Sequence, residues 1–135
     1  MKFSLNHQVD VYCERTDFSF WSEPINALTN IAFLIAAALK TAQGSSTVAI
    51  ITTAALIAPL MVNLGIETAF EKALAVLAVG AGALTVSHIN DSYFSVVSQC
   101  SNLSVKHALK THTVATFIQG ITALLILLLI QLLFT

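Results

Sequence analysis

From Val114 to Phe134 the chain reads VATFIQGITALLILLLIQLLF, without one charged side chain. A helix crossing the hydrocarbon core of a bilayer needs about 20 mainly apolar residues, and this run supplies them. The whole chain leans the same way, at 56% hydrophobic, 10% charged and a mean hydropathy of +0.83. A soluble domain carries about a quarter charged residues, so these 135 residues could not cover their own surface with polar groups. The expectation is an integral, multi-pass membrane protein: an all-α, polytopic transmembrane helix bundle of about four spans.

The runs fall at residues 24–39, 47–65, 73–88 and 114–134, preceded by a polar N-terminal segment, 1–23, within one membrane domain, 1–135. Pro24 suits the first turn of a helix, and Ser22 or Glu23 can cap it. Trp21 stands where an interfacial aromatic belongs. Gln43 to Ser46 reads as a turn, and Pro59 predicts a kink in the second run. The third run is rich in Ala and Gly, from Ala73 to Ala83, and small residues let membrane helices approach closely. It is therefore expected at the centre of the bundle. Between Asn90 and Thr113 the chain turns polar, with room for a short interfacial helix.

Net charge is −1, which leaves no basic face for nucleic acid. Cys13 and Cys100 are too few and too far apart for a disulfide framework or a zinc knuckle. The N-terminus lacks a basic region leading into an apolar one, so no cleavable signal peptide is evident. Loop lysines and arginines balance on the two sides, and the positive-inside rule gives no orientation. The chain stops at Thr135 directly after an apolar run, as a piece of a longer reading frame would. Oligomeric state is open.

Three groups of residues carry candidate chemistry. In the first, Glu23, Asn26 and Asn30 fall on one stripe of a helix starting near Pro24, with Asp10, Glu14 and Asp17 close in sequence. Lipid would leave such groups unpaired, so the stripe faces protein or water. Carboxylate and amide oxygens suit a hard cation such as calcium, with Asp10, Glu14, Glu23 and Asn26 as candidate ligands. Helix capping with mutual hydrogen bonds is the plainer account, and both stand. The second cluster is Ser87-His88-Ile89-Asn90-Asp91-Ser92 at the end of the third run. A carboxylate beside His88 can orient it as a metal ligand or as an acid or base; an ordinary polar helix end is the alternative. His107 and His112 lie at i, i+5 rather than the i, i+4 that puts two imidazoles on one helix face, and Lys106 and Lys110 flank them. No Gly-rich phosphate loop, nucleophile elbow or HExxH is present.

Read together, YCERTDFSFWSEPINALTNIAFLIAAA resembles the N-terminal signature of the alkaline ceramidase family, in its bacterial branch. The matching residues are Cys13-Glu14-Arg15, Trp21, Glu23-Pro24, Asn26-Ala27 and Thr29-Asn30, with the apolar run that follows, over roughly residues 9 to 38. The resemblance implies a seven-helix membrane hydrolase that cleaves the amide bond of ceramide-type N-acyl lipids. It also implies zinc on three histidines, for which this chain offers His88, His107 and His112, with Asp91 and Ser87 as catalytic carboxylate and hydroxyl. Zinc lowers the pKa of its bound water toward 7, Asp91 would take the proton, and the hydroxide would attack the amide carbonyl. The family's acidic N-terminal segment implies calcium at Glu14 and Glu23. Val11 and Thr16 depart from two ligand positions, Leu84 stands where the family has its Ser, and the chain contains no HxxxH. The other reading is a non-catalytic short or truncated member, a structural or cation-binding helix bundle.

Overall fold

The computed structural model describes residues 24–134. Its helices are α1 (Pro24–Gln43), α2 (Ser46–Asn63), α3 (Ala69–Leu84), α4 (Ser92–Cys100) and α5 (Val105–Ala108). A π-helical turn, Leu109–Thr113, then joins α5 to α6 (Val114–Phe134). No strand occurs among the described residues. The protein is an all-α membrane helix bundle. Pro24–Gln43, Ser46–Asn63 and Val105–Leu133 are each long and apolar enough to cross a bilayer.

Local signals explain the boundaries. Pro24 is the first residue of α1, where its missing N–H is no loss. Gly44 ends that helix with a φ of +72°, and its N–H bonds the Lys40 carbonyl at 2.8 Å. This is the left-handed C-terminal stop that glycine adopts without strain. Ser45 then caps α2 by accepting from the Val48 N–H at 3.4 Å. Pro59 lies inside α2 without ending it. Thr68 and Glu71 form a reciprocal capping box at the start of α3, with bonds of 3.0 and 3.2 Å, so Glu71 closes a helix end. The polar stretch after residue 90 does contain a short helix, α4, with Phe94 and Ser98 buried.

The small-residue helix α3 is central and packs on α1, α2 and α6. Its tightest approach is to α1. A Cβ added at Gly82 would stand 2.3 Å from the Phe33 carbonyl oxygen and 2.9 Å from Ala36 Cβ. Ala32, Ala36, Ala75, Ala78 and Ala83 fill the same seam. Between helices in lipid there is little hydrophobic drive, and close backbone packing takes its place. At the other end of the bundle, Gln131 Nε2 of α6 donates a buried 2.8 Å bond to Thr29 Oγ1 of α1.

α3 has only 16 residues, which at 1.5 Å each reach about 24 Å, short of the roughly 30 Å hydrocarbon core. It stops at Leu84, and the chain continues through residues 85–91 as irregular backbone before α4. That interruption lies at the end of the bundle where α1 finishes.

Candidate functional site

The interruption is built, not frayed. Thr85 leaves the helix with an extended ψ of 144°, and Val86 has a φ of +53°. A β-branched residue in the left-handed region is an outlier, of the kind that costs about 1–3 kcal/mol and persists only where its surroundings hold it. The next residue is held on both sides. The Ser87 N–H donates to Thr116 Oγ1 at 3.0 Å, and the Ser87 carbonyl accepts from Thr113 Oγ1 at 2.6 Å. Thr116 in turn donates to the Thr113 carbonyl at 3.0 Å. Two threonines of the long helix thus replace the partners that a continued α3 would have supplied. Thr113 is the last residue of the π-helical turn, a departure from α geometry that recurs at functional sites. Gly120 lets the same helix close on the break, since a Cβ there would stand 2.0 Å from Thr85 Oγ1.

Asp91 ends the break and caps α4, accepting from the Tyr93 N–H at 3.1 Å through Oδ1. Its Oδ2 accepts a short bond from the Ser87 hydroxyl and lies 2.7 Å from Lys40 Nζ, with both side chains almost wholly buried. Lys40 sits in the last turn of α1 and reaches the Gly44 carbonyl at 3.5 Å. Asn90 donates to the Ala42 carbonyl at 3.2 Å. A Cβ at Gly44 would stand 1.9 Å from the Asn90 carbonyl oxygen, so only glycine lets the α1–α2 turn lie against the break. Burial pushes the Asp91 carboxyl up, but Lys40, the Ser87 hydroxyl and the Tyr93 N–H outweigh it and hold the group below its ordinary value.

The sequence candidates divide accordingly. Ser87 and Asp91 do meet, but around Lys40. His88 lies beyond the end of α3 and its Nδ1 is buried without a hydrogen-bond partner. His107 is exposed, with Nδ1 2.9 Å from Ser104 Oγ. His112 packs against Tyr93 and Phe94, ring centroids 5.3 and 6.0 Å away, and its Nε2 is also buried without a partner. Among the described residues, no group of three or more His, Cys, Asp or Glu side chains is placed to hold a metal ion, so the three histidines do not form one. Asn26 pairs with Asn30, whose Nδ2 donates to Asn26 Oδ1 at 2.9 Å and to its carbonyl at 2.8 Å. Asp10, Glu14 and Glu23 lie outside the described residues.

Lys40 was not among the sequence candidates, because it reads as a loop charge ending the first span. A signal was there: it is the one charged residue between Pro24 and Ile66.

Comparison with known proteins gives these elements a family. The pattern of the GntP family permeases matches residues 22–133. The chain is 39% identical over 102 residues to a gluconate permease of Pseudomonas aeruginosa, covering 76% of this chain and 22% of the relative. It is 45% identical over 95 residues to the inner membrane permease YgbN of Escherichia coli, covering 70% and 20%. It is 41% identical over 95 residues to the Gnt-II system L-idonate transporter of the same organism, covering 70% and 21%. The chain therefore spans about a fifth of the length of these relatives. No solved structure matches it.

These matches overturn the ceramidase resemblance and, with it, the reading as a hydrolase of ceramide-type lipids. That resemblance rested on about 30 residues at the start of the first helix, whereas the permease match runs through every described helix. Pro24 starts a membrane helix, and Asn26, Thr29 and Asn30 bond one another within it, a task that is not peculiar to one enzyme family. The catalytic roles of Ser87 and Asp91, and the zinc and calcium drawn from the same resemblance, lose that support. The chain belongs to the GntP family of permeases.

Proposed function

We propose that these helices form part of a permease that carries a small sugar acid, such as gluconate or idonate, across the membrane. The observation that carries this reading is the break at residues 85–91. Irregular backbone at the end of a membrane helix is tolerated where it is buried in protein or lines a water-filled cavity, and interrupted helices with half-helix ends are how many transporters build a solute site. Here the break holds a buried ion pair and gathers the starts of α2 and α4. Ser45, Ser46 and Thr47 lie on the α2 side, and Asn90 and Ser92 on the α4 side. A sugar acid presents one carboxylate and a row of hydroxyls, which such a set of cation, hydroxyls and amide can match.

The test replaces the matching segment of the Pseudomonas gluconate permease with residues 22–133 of this chain. In cells lacking their own gluconate uptake, the chimera should accumulate labelled gluconate, with competition from L-idonate and none from sorbitol. A chimera that reaches the membrane at the level of the parent permease yet takes up no sugar acid contradicts the reading.

A further inference from the structure

Resting on that reading, we infer that Lys40 is the cation that receives the substrate carboxylate, and that Asp91 is a resident carboxylate occupying its place until the substrate arrives. Lys40 and Asp91 are the buried charged side chains among the described residues. A pair of this kind is poor value as a stabiliser, because removing two charges from water costs about what their attraction returns, and an apolar pair of similar volume often does as well or better. Its presence asks for another use.

The two partners are not equally committed. Asp91 keeps two donors that do not depend on Lys40, the Tyr93 N–H on Oδ1 and the Ser87 hydroxyl on Oδ2. It remains anchored as the cap of α4 if the ammonium turns away. Lys40 has three N–H donors but, besides Asp91, only the Gly44 carbonyl at 3.5 Å. The ammonium is thus the group that depends on a carboxylate, and any carboxylate of suitable reach serves it. The 2.7 Å separation to Asp91 is already that of a charge-assisted bond, which a substrate carboxylate reproduces. Lys40 also stands at the turn where polar groups suited to hydroxyls are gathered. Ser45 and Ser46 are half-buried there, and Thr47 and Asn90 are exposed, so the buried pair adjoins an accessible surface.

The full chain is purified in detergent as wild type, as Asp91→Asn and as Lys40→Met/Asp91→Leu, and each is unfolded thermally in sodium gluconate, in sodium chloride of equal ionic strength, and in sorbitol. The wild type should melt several degrees higher in gluconate than in chloride, with no gain from sorbitol. The gain should be larger in Asp91→Asn, where the competing carboxylate is gone, and absent in Lys40→Met/Asp91→Leu, which leaves no buried charge unpaired. No gain in the wild type, or equal gains in wild type and double variant, overturns the inference. A gain in Asp91→Asn no larger than in the wild type overturns the displacement by Asp91. If Asp91→Asn does not fold, wild type against double variant still decides. A gluconate-specific shift alongside a chimera that does not transport removes the transport reading and keeps the anion site; transport without the shift does the reverse.

Discussion

Lys40 Nζ stands 2.7 Å from Asp91 Oδ2, joining the last turn of α1 to the residue that caps α4. The contact closes the irregular segment against the α1–α2 turn. It also sets an acid limit on the fold. The Asp91 pKa is lowered in the folded chain, so as pH falls the unfolded chain takes up the proton first. The stabilisation is complete above the ordinary value of 3.8 and is lost as pH falls through the lower folded value. Thermal unfolding in detergent should show this acid limb in the wild type and lose it in Asp91→Asn; identical acid profiles would contradict the assignment.

The seam between α1 and α3 distinguishes two glycines of one helix. A Cβ at Gly82 would meet the Phe33 carbonyl oxygen at 2.3 Å, whereas one at Gly80 would meet nothing within 4 Å. Gly82→Ala should destabilise the bundle by about 1–3 kcal/mol through overpacking. Gly80→Ala should be neutral or stabilising by up to about 1 kcal/mol, from the better helix propensity of Ala. Unfolding titrations of the two variants in mixed micelles check the contrast.

Thr116 offers a test of how the break is held. Thr116→Val keeps the shape and removes the acceptor of the buried Ser87 N–H. An unpaired buried donor costs about 1–3 kcal/mol. The amides of residues 85–91 should then exchange faster with deuterium by about one to two orders of magnitude, while those in the middle of α1 are unchanged. Equal exchange across both segments would mean that Thr116 does not hold Ser87.

The far end of the bundle makes an asymmetric prediction. Gln131 donates to Thr29 through Nε2 while its Oε1 is buried without a partner. Thr29→Val strands the amide at both ends and should cost about 1–3 kcal/mol. Gln131→Leu removes the unpartnered oxygen together with the bond, and should lie within about 1 kcal/mol of the wild type. Comparable losses in the two variants would contradict this.

Much of this architecture was legible in the residues. The uncharged run after Val114, the Gly44 turn, the small-residue face of α3 and the short polar helix all follow from composition and spacing. The Ser87–Asp91 contact was suggested only by the ceramidase resemblance, and it forms across irregular backbone rather than along one helical turn. What pairs with it was not legible. Lys40 is far from Asp91 in sequence, and no periodicity links the end of one span to the end of another. Nor does a Gly or Pro announce that α3 stops at Leu84; the backbone beyond it is held instead by Thr113 and Thr116 from the neighbouring long helix. The ceramidase resemblance fails for a related reason. The residues around the start of the first helix carry that resemblance, although Asn26 and Asn30 satisfy each other inside the helix.

The most direct test of the central claim, that the break at residues 85–91 lies on the path of a sugar acid, is protection of that segment by the substrate. In the permease chimera freed of cysteines, Asn90→Cys is treated with a membrane-impermeant thiol reagent, with Leu125→Cys on the exposed apolar side of α6 as the lipid-facing control. Asn90→Cys should react, Leu125→Cys should not, and gluconate, but not sorbitol, should slow the Asn90→Cys reaction several-fold. Labelling at Asn90→Cys that gluconate leaves unchanged in a chimera still taking up gluconate would contradict it.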